Sequence, residues 1–228
     1  MFSEIAARYD QANRILSFGL DCSWRKRLIK TSVLQSGERL LDLCTGTADL
    51  VLEFARHSKN AEILGLDLSL EMLQVGQKRL EEAFKSKEVL LIHGDALQLP
   101  FSPQSLDVIT MAFGLRNLTS AQKGLSEMAR VLRPGGRLLI LEFSLPKSWV
   151  WRIFYLFYLK NILPCWGGWI TGSRMAYQYL HDSICAFPPP IEILAQMNWA
   201  GFERTSSTNL FGGVATLYRG ERPGPSNV

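Results

Sequence analysis

Short apolar runs and amphipathic stretches alternate through the middle of the chain. Apolar runs at Arg39–Cys44, Ile63–Asp67, Val89–His93, Leu106–Ala112 and Arg137–Phe143 are each bounded by Gly, Pro or polar residues, which predicts five strands. Between them, Asp49–His57, Leu70–Lys85 and Ala121–Leu132 carry helical spacing of apolar positions. The last of these runs into Arg133-Pro134-Gly135-Gly136, where Pro and Gly stop a helix before the next strand. This alternation predicts βαβ units and an α/β, Rossmann-like fold with a mostly parallel sheet and helices on both faces. Two late runs, Phe202–Ser206 and Val214–Arg219, flank Gly212-Gly213 and predict an antiparallel hairpin at the sheet edge, for seven strands in all.

Two segments depart from this rhythm. Residues 1–36 carry a helical pattern ahead of the first strand, and residues 145–187 interrupt the strands with a segment dense in Trp, Tyr, Phe and Leu. The expected organisation is one domain over 1–228, with a helical cap at 1–36 and an aromatic helical insertion at about 145–187. Within the insertion, Trp149–Leu159 is apolar nearly all round, so a helix there is either buried or faces another apolar surface. A lid packed on the domain, a homodimer contact and an interfacial face are all open to it. Trp and Tyr suit a lipid boundary, and Arg152 and Lys160 suit head groups.

Composition narrows the class. A length of 228 residues with 47% hydrophobic and 20% charged residues is that of a globular chain with a full core. The net charge of +4 is too small an excess to imply nucleic acid as a partner. Cys22, Cys44, Cys165 and Cys185 form no C-x-x-C pair and are not at metal-ligand spacing with His57, His93 and His181, so reduced thiols in a cytoplasmic protein are expected and no metal. No cationic start followed by an apolar run is visible, and the stretch around Trp149–Pro164 is too short and too polar to span a bilayer.

The chemistry is carried by the ends of the first three strands. The first run ends in Thr45-Gly46-Thr47-Ala48-Asp49, the second in Gly65-Leu66-Asp67, and the third in His93-Gly94-Asp95-Ala96. A nucleoside cofactor lies across the carboxyl ends of parallel strands in such an arrangement. A dinucleotide needs G-x-G-x-x-G for close approach of a pyrophosphate, and only Gly46 of that set is present, which argues against NAD. S-adenosylmethionine has no pyrophosphate and needs less room. Asp67 ends its strand where a carboxylate accepts hydrogen bonds from vicinal ribose hydroxyls, or else caps the helix that follows. Asp95 can accept from the exocyclic amine of adenine, or serve as ordinary turn chemistry. Asp42, inside the first strand, either holds the loop or faces the positive part of the cofactor.

Further segments sharpen this reading. They are Arg8-Tyr9-Asp10-Gln11-Ala12-Asn13, Leu16-Ser17-Phe18-Gly19, Trp24-Arg25, Phe113-Gly114-Leu115-Arg116-Asn117, Leu141-Glu142-Phe143-Ser144 and Tyr177-Gln178-Tyr179-Leu180. In this order, from about residue 2 to residue 220, they resemble the quinone C-methyltransferases of menaquinone and ubiquinone biosynthesis, within the class I S-adenosylmethionine-dependent methyltransferases. The resemblance implies cofactor contacts from Gly46, Thr47, Asp67, Asp95 and Ala96, and catalytic roles for Tyr9, Asp10, Arg116 and Asn117. It implies methyl transfer from S-adenosylmethionine to a ring carbon of demethylmenaquinol, with the methoxy-polyprenyl-benzoquinol of the ubiquinone pathway as the alternative substrate. A polyprenylated quinol partner in turn implies a cytoplasmic enzyme with peripheral contact at the inner membrane face. The chain departs from the family at Thr45 and Ala48, where glycines are usual, at Ala112, where a serine is usual, and at Gln178, where an arginine is usual. A non-catalytic quinone- or nucleoside-binding subunit is the reading from a different class.

Overall fold

The computed structural model describes residues 17, 19–58, 60–84, 89–165 and 174–224. The elements in chain order are α1 (Leu20–Ser32), β1 (Arg39–Leu43), α2 (Asp49–His57), β2 (Glu62–Asp67), α3 (Leu70–Ala83), β3 (Val89–His93), β4 (Leu106–Ala112), α4 (Ala121–Val131), β5 (Leu132–Phe143), α5 (Trp149–Phe157), α6 (Arg174–Ala186), α7 (Pro190–Trp199), β6 (Glu203–Leu210) and β7 (Ala215–Glu221). The strands form one seven-stranded sheet in the order β3-β2-β1-β4-β5-β7-β6. Strands β1 to β5 pair in parallel, while β7 pairs antiparallel with both β5 and β6. This is the predicted α/β sheet with its edge hairpin.

The strand order reverses at β1, between β2 and β4, which is where an open α/β sheet leaves a crevice at its carboxyl edge. Leu40, Leu41 and Leu43 of β1 are fully buried, as expected of a central strand covered on both faces. Helices α3 and α4 start where short polar side chains satisfy free backbone N–H groups. Ser69 accepts from Met72 N (3.3 Å) at α3, and Ser120 accepts from Lys123 N (3.2 Å) at α4.

Three sequence expectations change in detail. The Pro134-Gly135-Gly136 turn was expected to precede the fifth strand, but β5 begins at Leu132 and carries the turn as a bulge. Its register against β4 shifts between Leu106↔Leu132 and Val108↔Arg137. Gly135 takes φ 79°, and Gly135 N donates to Arg222 O at 2.9 Å, so the bulge is tied to the chain after β7. The hairpin strands run longer than predicted, to Leu210 and Glu221. Helix α7 was not anticipated. It opens with Pro190 in its first turn and buries Ile193 and Met197 fully, one helical turn apart.

In the insertion, α5 continues through a wider turn at Tyr158–Ile162. Tyr155, Leu159 and Leu163 fall on one face and are buried. Trp149, Phe154 and Phe157 lie on the other faces at 73%, 62% and 59% exposure. The helix that is apolar all round is therefore half-covered by the described residues. None of the described helices is long and apolar enough to cross a membrane. The predicted N-terminal cap is described only at Ser17 and from Gly19 onward, so Tyr9, Asp10 and Asn13 lie outside the described residues.

Candidate active site

A cavity of about 780 Å³ opens at the carboxyl edge of the sheet. That is ample for a nucleoside cofactor beside a ring-sized substrate. Its lining brings together Gly46, Thr47, Asp67, Asp95, Ala96, Arg116 and Asn117 from segments far apart in sequence.

One wall is polar and built by loops. Beyond β1 the chain turns sharply, with left-handed φ at Cys44 (53°), Gly46 (57°) and Ala48 (68°). Two of these three positions are not glycine and bear the cost of that conformation, about 1–2 kcal/mol each. Side chains around the loop offset it. Asp42 accepts from the Thr45 hydroxyl and from the Thr110 hydroxyl, both at 2.7 Å, with only 2% of the residue exposed. Of the two sequence readings for Asp42, the structure supports the one in which it holds the loop, through a side chain and not through the backbone. Asp42 also lines the cavity. Burial pushes its carboxyl up to about 7, against the opposing effect of the two hydroxyls.

Asp67 sits at the end of β2 with both oxygens engaged. Gly46 N donates to one (2.8 Å) and Ser69 N to the other (2.9 Å). A carboxylate has about four lone-pair sites, so both oxygens keep capacity for hydroxyl donors. The helix cap is Ser69 and not Asp67. Asp95 is exposed and accepts from Leu97 N (2.9 Å), while Ala96 is buried. Arg79 donates to Thr47 O and to Asp49, both at 2.7 Å, and Arg25 lies 3.3 Å from the other Asp49 oxygen. A Cβ at Gly76 would come within 3.1 Å of both the Ala48 Cβ and the Thr47 carbonyl carbon, so glycine there lets α3 pack against the loop.

The second wall is aromatic and apolar. Phe113 stacks on Phe143 at 4.4 Å between centroids, and Trp24 meets Phe143 edge-on at 6.2 Å. Trp151, Phe154, Tyr155, Tyr158 and Tyr177 of the insertion complete it. Arg116 stands where the two walls meet. Its Nη1 donates to Glu142 Oε1 at 2.7 Å, its backbone N donates to Glu142 Oε2 at 3.1 Å, and its guanidinium lies 5.3 Å from the Phe143 centroid. The two side chains are 3% and 0% exposed, so this is a buried ion pair. The Asn117 amide accepts from the Tyr179 hydroxyl (3.0 Å) and donates to Phe113 O (3.3 Å), tying this turn to α6. His181 is not among the lining residues; its Nδ1 lies 2.8 Å from Asp182.

The chain matches the model of the ubiE/COQ5 methyltransferase family over residues 1–222. It belongs to that family. It is thus an S-adenosylmethionine-dependent C-methyltransferase. Among curated relatives, it is 43% identical over 223 residues to "Demethylmenaquinone methyltransferase" of Thermus thermophilus, covering 98% of this chain and 100% of the relative. It is 41% identical over 223 residues to "Ubiquinone/menaquinone biosynthesis C-methyltransferase UbiE" of Geotalea daltonii, covering 97% and 94%. A SAM-dependent methyltransferase from Aquifex aeolicus shares the fold, with TM-score 0.61, 17% identity, and coverage of 87% and 89%.

The sequence singled out the polar wall. The aromatic residues fall within the quoted motifs and the apolar Trp149–Leu159 stretch, but none of them was named as a site residue. Asp21, Arg25 and Asp49 belong to the cavity lining, as does Tyr155. Arg25 and Asp49 fall within quoted motifs, but nothing in their spacing shows that they pair.

Proposed function

We propose that the protein methylates a ring carbon of demethylmenaquinol, giving menaquinol. The observation that carries this is the two-sided cavity: a polar wall with Asp67 and the Thr45–Thr47 loop, and an aromatic wall with the buried Arg116 beside it. The ordered loop and the unused lone pairs of Asp67 fit a nucleoside without pyrophosphate. Bound S-adenosylmethionine would supply an electrophilic methyl on its sulfonium, so the electrophile needs no metal.

The chain's own residues have three tasks. Asp67 takes the ribose hydroxyls, and Gly46 and Thr47 border the amino-acid end. Asp95 and Ala96 border the adenine, with Ala96 providing buried apolar contact. The aromatic wall sandwiches the quinol ring and excludes water, which aligns its carbon for in-line attack. A ring carbon becomes nucleophilic when the neighbouring phenol loses its proton. Arg116, permanently charged, lowers the cost of that phenolate. Asn117, pinned by Tyr179, fixes the turn that carries Arg116.

The polyprenyl tail accounts for the open side of α5. Phe154 lines the cavity and is also 62% exposed, so the apolar lining continues onto the surface with Trp149, Ile153 and Phe157. The exposed Arg152 and Lys160 flank that face. A lipid-embedded tail can stay in the bilayer while the ring enters, and this supports peripheral contact at the inner membrane face.

The test is a side-by-side incubation of the enzyme and S-adenosylmethionine with demethylmenaquinol and with the methoxy-polyprenyl-benzoquinol. The expected result is a higher kcat/KM for demethylmenaquinol. A preference for the benzoquinol moves the enzyme to ubiquinone synthesis, and methylation of neither sinks the proposal.

A further inference from the structure

Among the described residues, the Tyr155 hydroxyl is a buried polar group with no hydrogen-bond partner. The residue is 7% exposed and lines the cavity. A buried hydroxyl without a partner is costly, so native structures seldom keep one without a use. The cost could have been avoided with phenylalanine, which fills the same space. The rest of the side chain is well used, since the ring packs in the core with Leu159, Leu163 and Ile184.

Its position is specific. Tyr155 comes from α5 and lines the same cavity as Arg116, whose guanidinium favours the ionised phenol while the Glu142 carboxylate opposes it. Burial pushes this phenol well above the usual tyrosine range, so at neutral pH it keeps its proton and can act only as a donor or as a neutral acceptor. A protonated donor in a low-dielectric cavity, beside a permanent cation, is the arrangement that stabilises an oxygen gaining negative charge.

We propose that Tyr155 donates a hydrogen bond to an oxygen of the quinol ring, completing with Arg116 a two-sided site for the phenolate. This rests on the quinol reading above. The hydroxyl would orient the ring in the ground state and bind more tightly as charge develops on that oxygen. The tyrosine keeps its proton throughout, so it is not the base.

The variant Tyr155→Phe tests this, because it removes only the hydroxyl. The expected result is a fall in kcat of about 100- to 1000-fold, in line with loss of one oxyanion donor. S-adenosylmethionine affinity should be unchanged, and the rising limb of kcat against pH should move to higher pH. Thermal stability should hold or increase, since an unpartnered polar group has gone. A purely structural role would leave the pH profile in place. Tyr155→Phe with wild-type kcat and pH profile overturns the inference while the quinol reading stands. A wild-type enzyme that methylates no quinol overturns both.

Discussion

Replacing Arg116 by alanine separates its structural from its chemical role, and the structure gives a scale for each. In the native protein Glu142 is fully buried and accepts from Arg116 Nη1, from the Arg116 backbone N–H and from Phe143 N at 2.8 Å. Arg116→Ala keeps both backbone donors but strips the carboxylate of its paired cation. Breaking one side of a buried pair costs about 3–5 kcal/mol. For a chain of this length each kcal/mol moves Tm by about 2–4 °C, so a fall of roughly 6–20 °C is expected. The double variant Arg116→Ala/Glu142→Gln removes the stranded charge and should recover most of that stability. It should not recover turnover, because the phenolate still lacks its cation. Thermal melts of both variants, with single-turnover methyl transfer below the lower Tm, read the two effects independently. A double variant with wild-type turnover would refute the chemical role and leave Arg116 as a clamp. An Arg116→Ala variant that melts with the wild type would refute the buried-pair argument itself.

Three further outcomes follow from the polar wall. Asp67→Ala should weaken S-adenosylmethionine binding by about 1.5–3 kcal/mol for each charge-assisted ribose hydrogen bond lost, read by calorimetry; unchanged affinity would remove ribose binding from Asp67. Asp42 has a folded pKa of about 7 against an ordinary 3.8, so the native state holds an extra proton between those values. Its contribution to stability therefore falls as pH rises from about 4 to 7, by an amount on the order of 4 kcal/mol, and is level above that. Asp42→Asn cannot titrate, so urea unfolding should show the variant gaining on the wild type across that window; a constant difference would contradict the assignment. Gly114→Ala would place its Cβ 2.6 Å from Cys44 Cβ and 2.8 Å from Cys44 Sγ, both too close to the backbone to swing away. Such overpacking costs about 1–3 kcal/mol, visible as a Tm drop, and a variant that melts normally would mean the two turns are less tightly abutted.

The strand–helix alternation was legible in the sequence because it depends on local periodicity and turn chemistry. Val89–His93 and Leu106–Ala112 fall where their apolar runs place them. The start of β5 was not, because a Pro-Gly-Gly segment reads locally as a terminator, while a bulge is defined by its partner strand and by Arg222. Helix α7 was passed over because its first turn follows a run of prolines. At the site, Asp67 and Asp95 were legible as acids closing apolar runs. Nothing in the spacing singles out the Arg116–Glu142 pair, since it joins residues 26 positions apart. The Tyr155 hydroxyl was hidden in a stretch whose signal was its apolarity. A missing hydrogen-bond partner is a property of packing, with no trace in spacing or composition.

The central claim is methyl transfer to a quinol carbon. Its most direct test uses S-adenosylmethionine labelled with carbon-13 in the methyl group, demethylmenaquinol as acceptor, and NMR of the product. The account predicts a single labelled methyl at the shift of a methyl bonded to the ring carbon of menaquinol. Label at a methoxy shift, or no transfer from a preparation that binds S-adenosylmethionine, would contradict it.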